Sequence, residues 1–340
     1  MIFGLLLILA ATFITSYGIS ILLIEMPLPF LRDIAGKRSL HKGIIPRSGG
    51  IAILLAIVVG SYLLRHSLRE MVSIYLLLAA GILIVVSLLD DVISVPPLLR
   101  LVFQIVCAAV VVFPGDLYFD PGFSLPLTAL KLITLLGIVW MINLYNFMDG
   151  MDGFAGGMAM FGFAALAILG YLNKSFEFLC LNTIVVVSVS GFWCLNFPPA
   201  RIFMGDMGST LLGLLAAVFS LLGWEHGLFP LWVPAVLFSP FWIDATYTVF
   251  KRVHRHERIW LPHRSHIYQR LVLTGLGHTK VVMAEYVLML LCALSILLPL
   301  WLGLGYNLLV PVTWAVIYAI GLPLLELWLS RPGITTSDNY

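Results

Sequence analysis

Apolar residues fall in long runs separated by short polar segments. The runs cover about 2–24, 48–64, 71–89, 98–113, 127–145, 154–172, 177–195, 208–224, 229–248, 281–303 and 307–329. A helix needs roughly 20 apolar residues to cross a bilayer. The pattern therefore predicts an all-α integral membrane protein of about eleven transmembrane helices. The longest connecting segment is 249–280, so residues 1–340 read as a single polytopic membrane domain with no other soluble domain. No Lys or Arg precedes the first run, which therefore lacks the charged start of a cleaved signal peptide and reads as a retained helix.

Alternating the loops between two faces separates the charges. One face receives 25–47, 90–97, 146–153, 196–207, 249–280 and the C-terminal tail, with fourteen of the nineteen Lys and Arg residues. The other face has Arg65, Arg69, Lys131 and Lys174, and Arg100 sits just inside the fourth span near the first face. The positive-inside rule then makes the first face cytoplasmic, with the N-terminus outside and the C-terminus inside. On the outer face, Pro114–Pro126 holds a turn sequence between two short runs of strand formers, which predicts a small β-hairpin near 116–126.

Composition narrows the class. Hydrophobic residues make up 61% of the chain and charged residues 11%, against about 25% charged in ordinary soluble domains. Mean hydropathy is +1.04. These values exclude a soluble enzyme, a disordered chain and a nucleic-acid binder that works through a broad basic face. Cys107, Cys180, Cys194 and Cys292 form no Cys-x-x-Cys pair, so neither a disulfide framework nor a zinc site is suggested.

The carboxylates carry the chemistry. Asp90, Asp91, Asp149, Asp152 and Asp206 all fall in short loops or span ends on the cytoplasmic face. Such convergence is what a cation-assisted site needs. Asp206, Asp149 and Asp152 precede spans and have helix capping as a competing role. Asp90 and Asp91 end a span, where the helix dipole disfavours acids, so a metal ion or a basic partner is expected to offset them. The run Asn143 to Gly153 places Asn143, Asn146, Asp149 and Asp152 three residues apart, as one polar stripe running off the end of the fifth span. The 249–280 segment holds Arg252, His254, Arg255, His256, Arg258, His263, Arg264, His266 and Arg270, which suit lipid headgroups or phosphate. Asp244, within the ninth span, reads as a structural acid with Lys251 or Arg252 as partner. A transporter would place its polar groups near the bilayer midplane, in repeated halves. Here they gather at one face and no repeat is present.

Five landmarks in order resemble the polyprenyl-phosphate N-acetylhexosamine-1-phosphate transferase family, the MraY and WecA group. They are His41-Lys42 with Pro46 to Gly50, the pair Asp90-Asp91, Asn143 to Gly157, Asn196 to Ser209, and His263 to Leu271. In the last, Tyr268 and Gln269 stand where WecA-like members have histidines, and the wording is similar to the WbpL-type branch that initiates O-antigen. The resemblance implies a magnesium-dependent enzyme, with manganese as a substitute, in a bacterial inner membrane with its active site facing the cytoplasm. It would transfer a sugar 1-phosphate from a UDP-N-acetylhexosamine, of fucosamine type in that branch, to undecaprenyl phosphate and release UMP. A homodimer is compatible with it. Its nearest alternative is the peptidoglycan-precursor phospho-MurNAc-pentapeptide transferase. Carried over residue by residue, the resemblance makes Asp90, Asp91, Asp149, Asp206 and His266 catalytic. Asp206, Asp149 and Asn146 would hold the metal, and Lys42, Arg47, Asn143, Asn146, Asp152, Asn196, Phe203, His263 and Arg264 the substrates.

Overall fold

The computed structural model describes residues 2–34, 44–68, 71–120, 122, 124–258 and 263–331. Its helices are α1 (Ile2–Glu25), α2 (Gly49–Leu63), α3 (Ile74–Ile93), α4 (Pro97–Val112), α5 (Leu127–Phe147), α6 (Phe154–Leu172), α7 (Phe176–Asn196), α8 (Gly205–Glu225), α9 (Trp232–Leu237), α10 (Ser239–His254), α11 (Ile267–Leu271), α12 (Gly277–Trp301) and α13 (Leu309–Leu329). Among the described residues, eight helical segments are long and apolar enough to cross a membrane, and α2 and α4 are shorter apolar helices. The protein is a multi-pass, all-α membrane protein.

α8 is the central helix. Every residue from Met207 to Gly223 is buried, against α2, α3, α5 and α6. Gly50 and Gly208 let α2 and α8 nearly touch: a Cβ on Gly50 would lie 2.5 Å from the Gly208 nitrogen. By contrast α13 buries only Trp314 and Leu329, and exposes Leu309, Val312, Val316 and Ile320. Such a face suits lipid, because an apolar side chain loses nothing there.

Three expectations are corrected. The predicted ninth span is not continuous but is split into α9 and α10. Pro240 has no N–H to return to the Val236 carbonyl, which accepts from the Ser239 hydroxyl instead (2.7 Å). Beyond the break α10 continues to His254, and α11 and α12 meet at a kink where Gly275 is left-handed (φ 92°), so residues at both ends of the expected 249–280 loop are helical. The hairpin expected near 116–126 does not form: none of its described residues is in a strand. The Phe119 N–H donates to Thr134 Oγ1 on α5 (2.9 Å), and Lys131 of α5 pairs with Asp116 (2.7 Å). Pro114, Pro121 and Pro126 remove further ladder donors. The strand pair lies at the other face, where β1 (Arg32–Ile34) runs antiparallel to β2 (Ile44–Pro46).

The basic face is stitched together by backbone bonds. Phe203 N–H donates to Pro46 O, Gly49 N–H to Phe203 O and Gly50 N–H to Met204 O, all within 2.8 Å. These bonds carry Arg47 to the N-terminus of α8. At the other edge Glu326 of α13 accepts from Lys251 of α10 (2.7 Å) and from Arg270 of α11.

Candidate active site

The start of α8 is capped from another helix. Asp91, at the end of α3, accepts from the backbone N–H groups of Asp206 (2.9 Å) and Met207 (3.1 Å). Its carboxylate is 3.6 Å from Arg47 Nη2 and almost fully buried. The positive end of α8 thus offsets the unfavourable position of Asp91 at the negative end of α3. Asp91 does not line the cavity. Asp206, released from capping, turns its carboxylate inward and accepts from Arg47 Nη2 (2.6 Å) and Asn146 Nδ2 (3.0 Å). Asp90 pairs with Arg100 of α4 (2.6 Å) and also accepts from the Val95 N–H (2.7 Å). Arg100 Nη1 is 3.7 Å from Asp206 Oδ2, so Arg47 and Arg100 flank Asp206 from two sides.

The turn between α5 and α6 forms the next wall. Asp149 lies here, and desolvation raises its carboxyl well above the ordinary carboxylate value; Asp206, Asp91 and Asp152 push the same way and Arg47 opposes them. Asp152 accepts from the Ala200 N–H (3.1 Å) and lies 3.4 Å from His278. Asn196 spends its amide on the scaffold, accepting from the Gly153 N–H (3.0 Å) and donating to Ile202 O (2.8 Å). Asn143 donates to Gln104 Oε1 (2.6 Å) and Val139 O.

α11 closes the site. Asp244 does not pair with Lys251 or Arg252, as the sequence suggests; it accepts from the N–H groups of Ile267 (2.9 Å) and Tyr268 (3.1 Å) and lies 3.5 Å from His266. Arg252 pairs with Glu257 instead (3.0 Å). The fully buried Tyr268 donates to Phe147 O (3.1 Å). Its hydroxyl lies where a Cβ on Gly150 would be, at 2.2 Å, so only glycine fits that turn. His263 Nδ1 accepts from the Ser265 backbone N–H (3.4 Å) and lies 2.8 Å from the Ser265 hydroxyl, and an accepting Nδ1 leaves Nε2 to carry the proton. Burial, His266 and Arg252 push His263 down to about 4, against a smaller opposing effect of Asp244.

These walls enclose one cavity of about 1300 Å³. Of the residues singled out in the sequence, Arg47, Asp90, Asn143, Asn146, Asp149, Asp152, Asn196, Phe203, Asp206, His263, Arg264 and His266 line it. Lys42 lies outside the described residues. Sequence reasoning missed Arg100, Gln104, Gln269 and His278 as cavity residues. Arg100 had a signal, as a cation isolated in an apolar run beside two acids. The cavity also has an apolar flank, from Leu83 and Val86 of α3, Leu98 and Leu101 of α4, and Leu136 and Trp140 of α5.

Asp206, Asp149 and Asn146 all line the cavity and could offer oxygen ligands to a magnesium ion. Among the described residues no three His, Cys, Asp or Glu form a ready metal cage. Magnesium needs none, because it binds through one or two carboxylates and completes its shell with water and substrate phosphate.

A cavity with a carboxylate and arginine head and an apolar flank suits an enzyme that joins a charged group to a lipid. Residues 73–224 match the family described as Glycosyl transferase family 4. A Bacillus subtilis protein described as a probable undecaprenyl-phosphate N-acetylglucosaminyl 1-phosphate transferase is 30% identical over 313 residues, covering 86% of this chain and 87% of the relative. A Haemophilus influenzae undecaprenyl-phosphate alpha-N-acetylglucosaminyl 1-phosphate transferase is 29% identical, covering 78% and 79%. A Bacillus subtilis phospho-N-acetylmuramoyl-pentapeptide-transferase is 30% identical, covering 59% and 71%. The chain belongs to this family, the membrane-bound polyprenyl-phosphate sugar-phosphate transferases.

Proposed function

We propose that the protein transfers an N-acetylhexosamine 1-phosphate from a UDP-N-acetylhexosamine to undecaprenyl phosphate, releasing UMP. The observation that carries this reading is the single cavity in which the Asp90, Asp149 and Asp206 head meets the apolar flank of α3, α4 and α5. A lipid phosphate and a nucleotide can meet there without either leaving its own medium.

The lipid phosphate attacks the β-phosphorus of the donor, the bond from that phosphorus to the UMP oxygen breaks, and UMP leaves. A phosphate monoester has its second pKa near 6 and is mostly dianionic at neutral pH, so it needs little activation. The obstacle is bringing two anions together, and the residues of this chain address it by fixed charge. Asp90 holds the Arg100 guanidinium toward the acceptor phosphate and takes up its proton in the fraction that is monoanionic. Arg47, Arg264 and the Nε2–H of His263 face the donor phosphates. Magnesium, when bound by Asp206, Asp149 and Asn146, would neutralise the pyrophosphate. Asp152 and Phe203 hold the nucleoside, and Asn196 locks the two loops that carry them. Asp91 acts through Asp206, as a positioning residue.

The direct test is UMP release by purified protein supplied with undecaprenyl phosphate, magnesium and a panel of UDP-N-acetylhexosamines. Release that needs both lipid and magnesium is expected. No release from any donor, beside an active family member, would remove the reading. The wording His-Ile-Tyr-Gln-Arg at 266–270 favours a surface-glycan role such as O-antigen initiation over the peptidoglycan-precursor reaction. With the basic loops on the cytoplasmic side of a bacterial inner membrane, the site would open to the nucleotide-sugar pool.

A further inference from the structure

Gln104 is held by one end of its amide and left open at the other. It stands on the inward face of α4 with Cys107, Ala108 and Val111, and lines the cavity with 7% of its surface exposed. Its Oε1 accepts from Asn143 Nδ2 on α5 (2.6 Å). The orientation of both amides is fixed from outside the pair. Asn143 Nδ2 also donates to the Val139 carbonyl (2.8 Å), an oxygen that can only accept, so the Asn143 NH₂ points that way. Both of its hydrogens are then spent, and the atom of Gln104 that meets it must be the oxygen. Gln104 Nε2 is turned away from the pair. Among the described residues it has no hydrogen-bond partner, and it is not sealed off from the cavity.

The depth of the amide selects its partner. Gln104 lies one turn further into the span than Arg100 on the same face of α4, about 6 Å along the axis. Arg100 belongs to the charged head, through Asp90 and Asp206. Leu101 of α4 and Leu136, Val139 and Trp140 of α5 belong to the apolar flank. Gln104 stands where the two meet. An NH₂ left open there is costly with apolar neighbours alone. It calls for an acceptor oxygen and offers nothing to a metal ion. The one reactant whose anionic group is joined directly to a hydrocarbon chain is the lipid phosphate. With its chain along the flank, that phosphate sits at this junction. Resting on the function proposed above, we infer that Gln104 is an acceptor-binding residue. Its Nε2 donates to an oxygen of the polyprenyl phosphate beside the Arg100 guanidinium, and Asn143 keeps it turned there. The guanidinium supplies charge and the amide supplies direction.

The test is steady-state kinetics of the full-length protein with undecaprenyl phosphate and the UDP-N-acetylhexosamine that wild type turns over best. Gln104→Glu keeps the size and the oxygen that Asn143 needs, but replaces the donor by a charge facing the phosphate. Gln104→Met removes the amide and stays uncharged. The KM for undecaprenyl phosphate is expected to rise about tenfold or more in both variants, and further in Q104E than in Q104M. The KM for the nucleotide-sugar and the UMP inhibition constant should stay within about twofold of wild type. A mere strut between α4 and α5 would tolerate Q104E better than Q104M, because Q104E retains the bond to Asn143, and would move kcat or the melting temperature rather than one KM. If Q104E does not fold, Q104M alone decides, by the split between the two KM values. An unchanged acceptor KM, an equal rise in both KM values, a rise confined to the nucleotide-sugar, or the reverse order of the variants overturns the inference and leaves the functional reading standing. No turnover by wild type with any donor overturns the functional reading and this inference with it.

Discussion

Asp91 and Asp206 divide between them two tasks that the sequence offers to Asp206 alone. The Asp91 carboxylate receives the Asp206 backbone N–H at 2.9 Å, and the Asp206 side chain is thereby free to face Arg47, Asn146 and the cavity. Substitutions at the two positions should separate fold from chemistry. Asp91→Ala leaves the Asp206 and Met207 N–H groups without their acceptor and should lower stability by about 2 kcal/mol, read as a drop in the detergent melting temperature. Asp206→Asn should melt near wild type and lose on the order of a hundredfold or more in turnover. An inactive but unstable D206N, or a fully stable D91A, would reverse the assignment.

Asp90 and Arg100 act as one unit, because the 2.6 Å pair buries the carboxylate against a single guanidinium. Asp90→Asn and Arg100→Gln should each impair turnover, and the double variant should be little worse than either. The expected coupling is about 0.5–3 kcal/mol in kcat/KM. Costs that simply add would mean that the two residues serve separate steps. Arg100→Lys should recover only part of the activity, since a point charge does not reproduce the planar fork.

Gly150→Ala should destabilise the site, because the new methyl would lie 2.2 Å from the Tyr268 hydroxyl. That ring has nowhere to move, being bonded to Phe147 O and packed 4.9 Å from the Phe154 ring. A cost of about 1–3 kcal/mol is expected, as for other overpacked cores. Adding Tyr268→Phe removes the clashing oxygen and should restore part of the melting temperature. An unaffected single variant would show that the turn yields.

His263 sets an acid limit. Its ring is pushed down to about 4 in the folded protein, chiefly by burial, then by His266 and Arg252, whereas a free histidine titrates near 6.5. Between these values the unfolded chain binds more protons than the folded one, so stability falls as pH drops from about 6.5 towards 4. Above that window the contribution is flat. His263→Asn should flatten this slope in melting curves taken from pH 7 to 5. An unchanged slope would place the acid sensitivity elsewhere.

The apolar runs foretell the helices because the membrane imposes length and composition on any span, and the acid loops foretell the cavity because alternation alone gathers them at one face. Other features needed the fold. Pro240 breaks the ninth span, and the Val236 carbonyl that it leaves without its helical donor is taken up by the Ser239 hydroxyl. Whether Asp91 or Asp206 caps α8 depends on where α3 ends against α8, which no local pattern encodes. Asn196 has the sequence setting of a ligand residue, but its partners Gly153 and Ile202 make it a strut. Gln269 and His278 lie in segments whose neighbours across the cavity come from the α5–α6 turn, and neither residue has a telling spacing of its own. The hairpin near 116–126 failed for a related reason, since Phe119 found its acceptor on α5 rather than on a facing strand.

Glu326 joins Lys251 and Arg270 across three helices, and this has a consequence for how the protein is made. Chains emerge in order of synthesis, earlier segments organising first. Lys251 and Arg270 therefore arrive with no acid between them and repel each other until α13 follows. Every described cavity residue is already present by then, the last being His278. The nascent protein can thus possess the complete set of reacting groups before the segment that carries them is held in place, and α13 acts as a delayed latch on a site to which it contributes no lining.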